Sequence, residues 1–215
     1  MRAHPITRAG RTHGLPAPAA LVAAVLVVPL PAFAHGNLAV GDFYTGLLQP
    51  VFHFDSLLPA VVIALWSSQL GDAEVWRLPV VFMAAALAGS VAAALGWQIE
   101  GTAWVPRVAM LVLGLLVAAR LRLPPLVALA LGLGAGFAQG YVAVFGERET
   151  ITRPILYILG MCSGVGLICF HLESLVLRFS AFWVQIAVRV LGSWIAAIGL
   201  LVAVLGAMGG GRGTG

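Results

Sequence analysis

An amide, an imidazole and a carboxylate stand close together in Gln49-Pro50-Val51-Phe52-His53-Phe54-Asp55-Ser56-Leu57-Leu58-Pro59, at the head of an apolar run over residues 60–66. Such groups are costly at membrane depth, about 2.5–3.5 kcal/mol for an Asp at the centre of a span. A chain that keeps them there has a use for them. Asp55 suits a cation ligand or a proton acceptor, and His53 a second ligand two residues away. Each has a structural alternative. Asp55 can cap the free N–H groups of a helix starting at Ser56, and His53 can be an interfacial ring bonded to a carbonyl. On a continuous helix the two side chains point about 200° apart, so shared coordination needs a broken backbone, which Pro50 can supply.

Further along, His171 and Glu173 lie inside an apolar stretch. Glu173 shares a helical face with Cys162, Gly166 and Cys169, at steps of four, three and four residues. That stripe reads as a thiol-and-carboxylate path for a soft metal, or as a small-residue packing seam with Glu173 near the membrane edge. The two cysteines would stand about 10 Å apart along the axis, beyond the roughly 7 Å between Cα atoms that a disulfide spans, so they are expected to be buried thiols. Gln49 and Gln139 do not titrate and are expected to line a polar path or to bond helices together. Arg189 is expected to serve topology by pairing with the interface or with Asp72 or Glu74.

The elements that must position these residues follow from composition. The 215 residues are 61% apolar and 9% charged, against about 25% charged in soluble domains, so the chain is an integral membrane protein. Its partner is the lipid bilayer. Three of the twelve basic residues are Arg2, Arg8 and Arg11, and no basic patch for nucleic acid follows. A basic start, an apolar core over residues 17–30 and an Ala32-Phe33-Ala34 site form a signal-peptide layout over residues 1–34; an uncleaved first span is the alternative. Cleavage would expose His35, whose amine and imidazole can chelate a cation, on the outer face of a bacterial inner (cytoplasmic) membrane.

The remainder, residues 35–208, reads as an all-α polytopic bundle of about six transmembrane helices, followed by a Gly-rich tail over 209–215 expected to be disordered. Spans are expected over about residues 52–70 (kinked or capped near Asp55), 75–95, 103–119, the stretch after Pro125 to about 145, 155–177 and 182–208. Gly132, Gly136 and Gly140 form a stripe on which a neighbouring backbone can approach. No Ser-His pairing and no H-E-x-x-H spacing is present, so no enzyme and no bound cofactor are expected.

Residues 52–71, Phe-His-Phe-Asp-Ser-Leu-Leu-Pro-Ala-Val-Val-Ile-Ala-Leu-Trp-Ser-Ser-Gln-Leu-Gly, resemble the first-helix motif of the HupE/UreJ membrane proteins, which are linked to nickel or cobalt uptake. The leader ending Ala-His-Gly, the Gly-rich fourth span, His171-Leu172 and Arg189-Val-Leu-Gly192 extend the resemblance over about residues 20–208. It implies a permease or facilitator for a divalent nickel- or cobalt-class cation, with Asp55, His53, His171, Gln139 and Glu173 as candidate metal residues. A non-transporting scaffold or accessory subunit derived from the family is the alternative, and a homo-oligomer or a membrane partner is left open. The chain departs from the family pattern where metal chemistry would sit. The pattern's histidines in His-Pro-x-x-Gly-x-Asp-His fall on Gln49 and Ser56, and its Gly falls on His53. The family's His-Gly-x-Ala-His-Gly reads Gln139-Gly140-Tyr141-Val142-Ala143-Val144.

Overall fold

The computed structural model describes residues 41–71, 74–179 and 181–210. The leader and residues 211–215 of the Gly-rich tail lie outside them, while Gly209 and Gly210, expected in the tail, close the last helix. The described residues form seven α-helices: α1 (Asp42–Phe52), α2 (Phe54–Leu70), α3 (Glu74–Ala94), α4 (Val105–Ala119), α5 (Pro125–Phe145), α6 (Pro154–Arg178) and α7 (Phe182–Gly210), with a 3-10 turn (Thr102–Trp104) before α4. Four of these, over Trp76–Ala94, Pro125–Phe145, Pro154–Arg178 and Phe182–Met208, are long and apolar enough to cross a membrane. Helices α1 and α2, bent by 72° at their break, pass the same test only as a pair, as a broken span or a re-entrant loop, which gives four spans or up to five by length and composition among the described residues. Helix α4 is apolar but has only 15 residues.

Helix α1 is the element the sequence pattern concealed. Residues 41–48 read as a semi-polar interfacial approach, yet they open a helix that runs through Pro50 to Phe52. It ends because His53 takes up an extended backbone, φ −115° and ψ 107°, and α2 restarts one residue later. Pro50 is tolerated within α1 and Pro59 within α2, each removing one backbone donor.

Helix α2 is the core. It packs against all six other helices, and every residue from Val62 to Ser67 is buried. A helix apolar on all sides belongs inside a bundle. Around it the neighbours pair through glycine. Gly136 and Gly140 lie so close to α3 that a Cβ on either would overlap the carbonyl of Phe82 or Ala86, which confirms the stripe as a packing face. Gly164 of α6 meets the Leu47 carbonyl and the Pro50 ring of α1 in the same way. The end of short α4 is closed by side chains from elsewhere: Gln69 Nε2 donates to Val117 O (3.3 Å), Arg189 Nε to Ala118 O (2.9 Å), and Trp66 Nε1 to Leu121 O just beyond (3.2 Å). These bonds satisfy carbonyls that a helix end leaves without internal partners.

Gly140→Leu is expected to lower the unfolding midpoint of the purified protein by the equivalent of about 1–3 kcal/mol or more, read by thermal or detergent-induced unfolding. Gly134→Ala is the contrast, since its Cβ would meet nothing within 4 Å. It is expected to leave the midpoint unchanged or raise it by up to about 1 kcal/mol, from helix propensity.

Candidate functional site

The break between α1 and α2 assembles a polar cluster in the bundle core. Gln49 lies in the last turn of α1, Ser56 in the first turn of α2, and Gln139 on the inner face of α5; they are 6%, 5% and 2% exposed. Gln49 Nε2 donates to Ser56 Oγ at 2.8 Å, and Gln139 Nε2 donates to the Ser56 carbonyl at 2.8 Å. One serine thereby ties together two half-helices and a third helix. Both glutamine side-chain oxygens, Gln49 Oε1 and Gln139 Oε1, are buried with no hydrogen-bond partner. Groups of this kind are normally paired, so the cluster carries a surplus of acceptors.

The titratable residues of the motif stand at the mouth of this cluster. His53 caps α2 and is exposed; its Nδ1 lies 3.2 Å from Gln49 O and its Nε2 3.9 Å from Glu147 Oε1. Asp55 is exposed in the first turn of α2, and no side-chain bond caps that helix. Glu147, in the turn after α5, is the site residue that sequence reasoning missed. It reads as part of a charged loop, and nothing in its neighbours announces a histidine 94 positions earlier in the chain. The same loop is fastened to α1 by the Arg153 N–H, which donates to Asp42 Oδ2.

The other candidates lie apart. Glu173 of α6 is buried and accepts from Ser67 Oγ at 2.9 Å, while Cys169 Sγ donates to Ala60 O at 3.5 Å. The stripe of Cys169 and Glu173 therefore faces α2, Cys169 at the level of Ala60 and Glu173 at that of Ser67, about 6 Å and about 16 Å along the helix from Ser56. Both cysteines are free thiols, Cys169 buried and Cys162 half-buried. His171 is exposed, with Nδ1 2.8 Å from Leu167 O and its ring edge-on to Phe170. It stands seven residues beyond Gly164, hence about 10 Å along α6 from the level of Pro50. The structure thus joins Gln139 with Gln49 and Ser56, and sets His53 and Asp55 at the adjoining mouth. Glu173 and His171 are elsewhere. Among the described residues no three His, Cys, Asp or Glu side chains converge as a metal-holding group.

Ser56→Ala leaves Gln49 Nε2 buried without its acceptor and is expected to cost about 1–3 kcal/mol of stability. In a double-mutant cycle with Gln49→Leu, measured by unfolding, the coupling is expected to fall between about 0.5 and 3 kcal/mol. Additive effects would mean the bond does not form.

Comparisons with known proteins agree with the motif. No solved structure matches the chain. Protein HupE of Rhizobium leguminosarum bv. viciae is 28% identical over 179 residues, covering 82% of this chain and 92% of that protein. A family model described as HupE / UreJ protein matches residues 23–202, most of the helical bundle, and on that ground the chain belongs to the HupE/UreJ family of membrane proteins.

Proposed function

We propose that the chain is a permease or facilitator that passes a divalent transition-metal cation, of the nickel or cobalt class, across a bacterial inner membrane, with the mature N-terminus on the outer face. The observation that carries this reading is the broken span: a polar cluster in the bundle core lies immediately behind an exposed His53, Asp55 and Glu147. Two ligands at about 2.1 Å from a tetrahedral ion stand roughly 3.4 Å apart. The 3.9 Å between His53 Nε2 and Glu147 Oε1 therefore needs only a small closure to hold one ion between them. Asp55, exposed two residues further along, adds negative charge near the mouth without joining that pair. Imidazole suits nickel and cobalt, and the two acids offset part of the cost of stripping water from the ion.

Beyond the mouth, Gln139 lines the path. Amide oxygens bind these ions poorly, which favours onward passage over trapping. Glu173, at the level of Ser67, would serve as an inner station, with Cys169 at the level of Ala60 on the way to it. His171 is the weakest member of the set, because it is exposed and its Nδ1 is already engaged. The chain carries no ATP-binding motif, so movement is driven by a gradient or by a partner, and no catalysis is involved.

A second reading, a non-transporting scaffold or accessory subunit, draws its support from one observation. The buried cluster is neutral, and no three metal-binding side chains converge among the described residues.

Uptake of nickel, cobalt, zinc and copper into proteoliposomes separates the two. Wild type is expected to take up at least one of these ions; Asp55→Asn and His53→Ala are expected to reduce uptake by about 10- to 100-fold, and His171→Ala to reduce it least. Wild-type vesicles that move none of the four would leave the scaffold reading standing.

A further inference from the structure

The cluster at Ser56 holds two buried acceptors that no hydrogen bond reaches. The orientation of Gln139 is fixed by chemistry, because the Ser56 carbonyl can only accept. The N–H end of the amide must face it, and Oε1 must turn away. Gln49 Nε2 donates to Ser56 Oγ, which leaves its own Oε1 unpartnered. The surrounding backbone adds to the surplus. Pro50 and Pro59 lack the N–H groups that would bond the carbonyls of Gly46 and Asp55. The last turn of α1 also presents the negative end of its dipole at the break.

Interrupted helices of this kind coordinate small cations through freed carbonyls and the C-terminal ends of half-helices. The ligands are uncharged, and all are hard oxygens. The cost of dehydrating an ion rises with the square of its charge, and no carboxylate inside the cluster repays it for a divalent ion. Asp55 lies one residue from Ser56 but is exposed. Its charge attracts a cation to the break without entering the ligand set.

We propose that Gln49 Oε1, Gln139 Oε1 and Ser56 Oγ form a binding site for a dehydrated monovalent alkali cation of the sodium class, distinct from any transition-metal cargo. If the chain transports a metal, this ion is placed to couple that movement to an alkali-cation gradient. Occupancy of the site does not depend on the transport reading.

The test uses the full chain purified in detergent in choline buffer. NaCl is titrated against choline chloride at constant ionic strength, with nickel chloride in a separate series, and the unfolding midpoint is read by tryptophan fluorescence. A saturable rise in midpoint with sodium, absent with choline and abolished by both Gln49→Leu and Gln139→Leu, is the expected result. Gln139→Glu keeps the shape and adds a charge; it is expected to lower the sodium concentration at half-effect by about tenfold, and it decides the matter if the leucine variants do not fold. The proposal is overturned if choline acts like sodium, if the sodium response survives in both leucine variants, if Gln139→Glu leaves the half-effect concentration unchanged, or if nickel alone stabilises the protein. Loss of metal uptake with the sodium response intact would strike the permease reading alone. The converse would strike only this site.

Discussion

A polar atom in hydrocarbon has no water to turn to, so every bond it needs must come from the protein. That constraint is concentrated at Ser56. Its hydroxyl and its carbonyl each receive an amide N–H, one from α1 and one from α5, and the interruption between α1 and α2 is held in place by those two bonds. The backbone at the break is itself paired, since His53 N–H donates to Gln49 O and His53 O accepts from the Ser56 and Leu57 N–H groups. What the serine adds is the tie that fixes two half-helices and α5 to one another through two buried glutamines.

The chemistry is layered along α2. At its start, titratable groups meet the exterior: His53, Asp55 and, from the following loop, Glu147. One turn inward the groups are polar but neutral. Then comes the fully buried run from Val62 to Trp66, and after it Ser67 with Glu173 of α6. Charge therefore occurs where water can reach it or where a hydroxyl meets it, and not in between. The ordering also sets the only imidazole among the described residues of this region at the mouth, where it suits transition metals, and leaves the core with oxygen ligands that suit hard ions.

The sequence made the bundle legible because helices in lipid must be long and apolar. The bounds expected for the last three spans lie within a residue or two of those observed, and the stripe of Gly132, Gly136 and Gly140 faces α3 as a packing surface should. Helix α1 was not legible. Asp42, Thr45 and Gln49 break its apolar run, Pro50 argues against a helix, and its packing depends on Gly160 and Gly164, more than 100 residues away. Of the polar cluster, Gln49 and Gln139 were legible as groups that bond helices together, but their shared partner was not. Ser56 is 83 positions from Gln139, and a lone serine beside Asp55 draws no attention as chemistry. His171 shows the opposite error of scale. Its presence within an apolar stretch was legible, but whether it faces core or lipid turns on a rotation that periodicity in an apolar helix does not fix.

The two halves of the broken span differ in how firmly they are held. Helix α2 touches every other helix, whereas α1 rests on α6 and on α2, and its seam with α6 is backbone laid against backbone at Gly46, Gly160 and Gly164. Contact that close leaves no room for a methyl group at any of the three positions. Helix α1 is therefore keyed to α6 while its covalent joint is to α2, and the Arg153–Asp42 bond fastens its far end to the loop before α6. A substituent at any of these glycines would wedge the two apart and carry the displacement through His53 to Ser56.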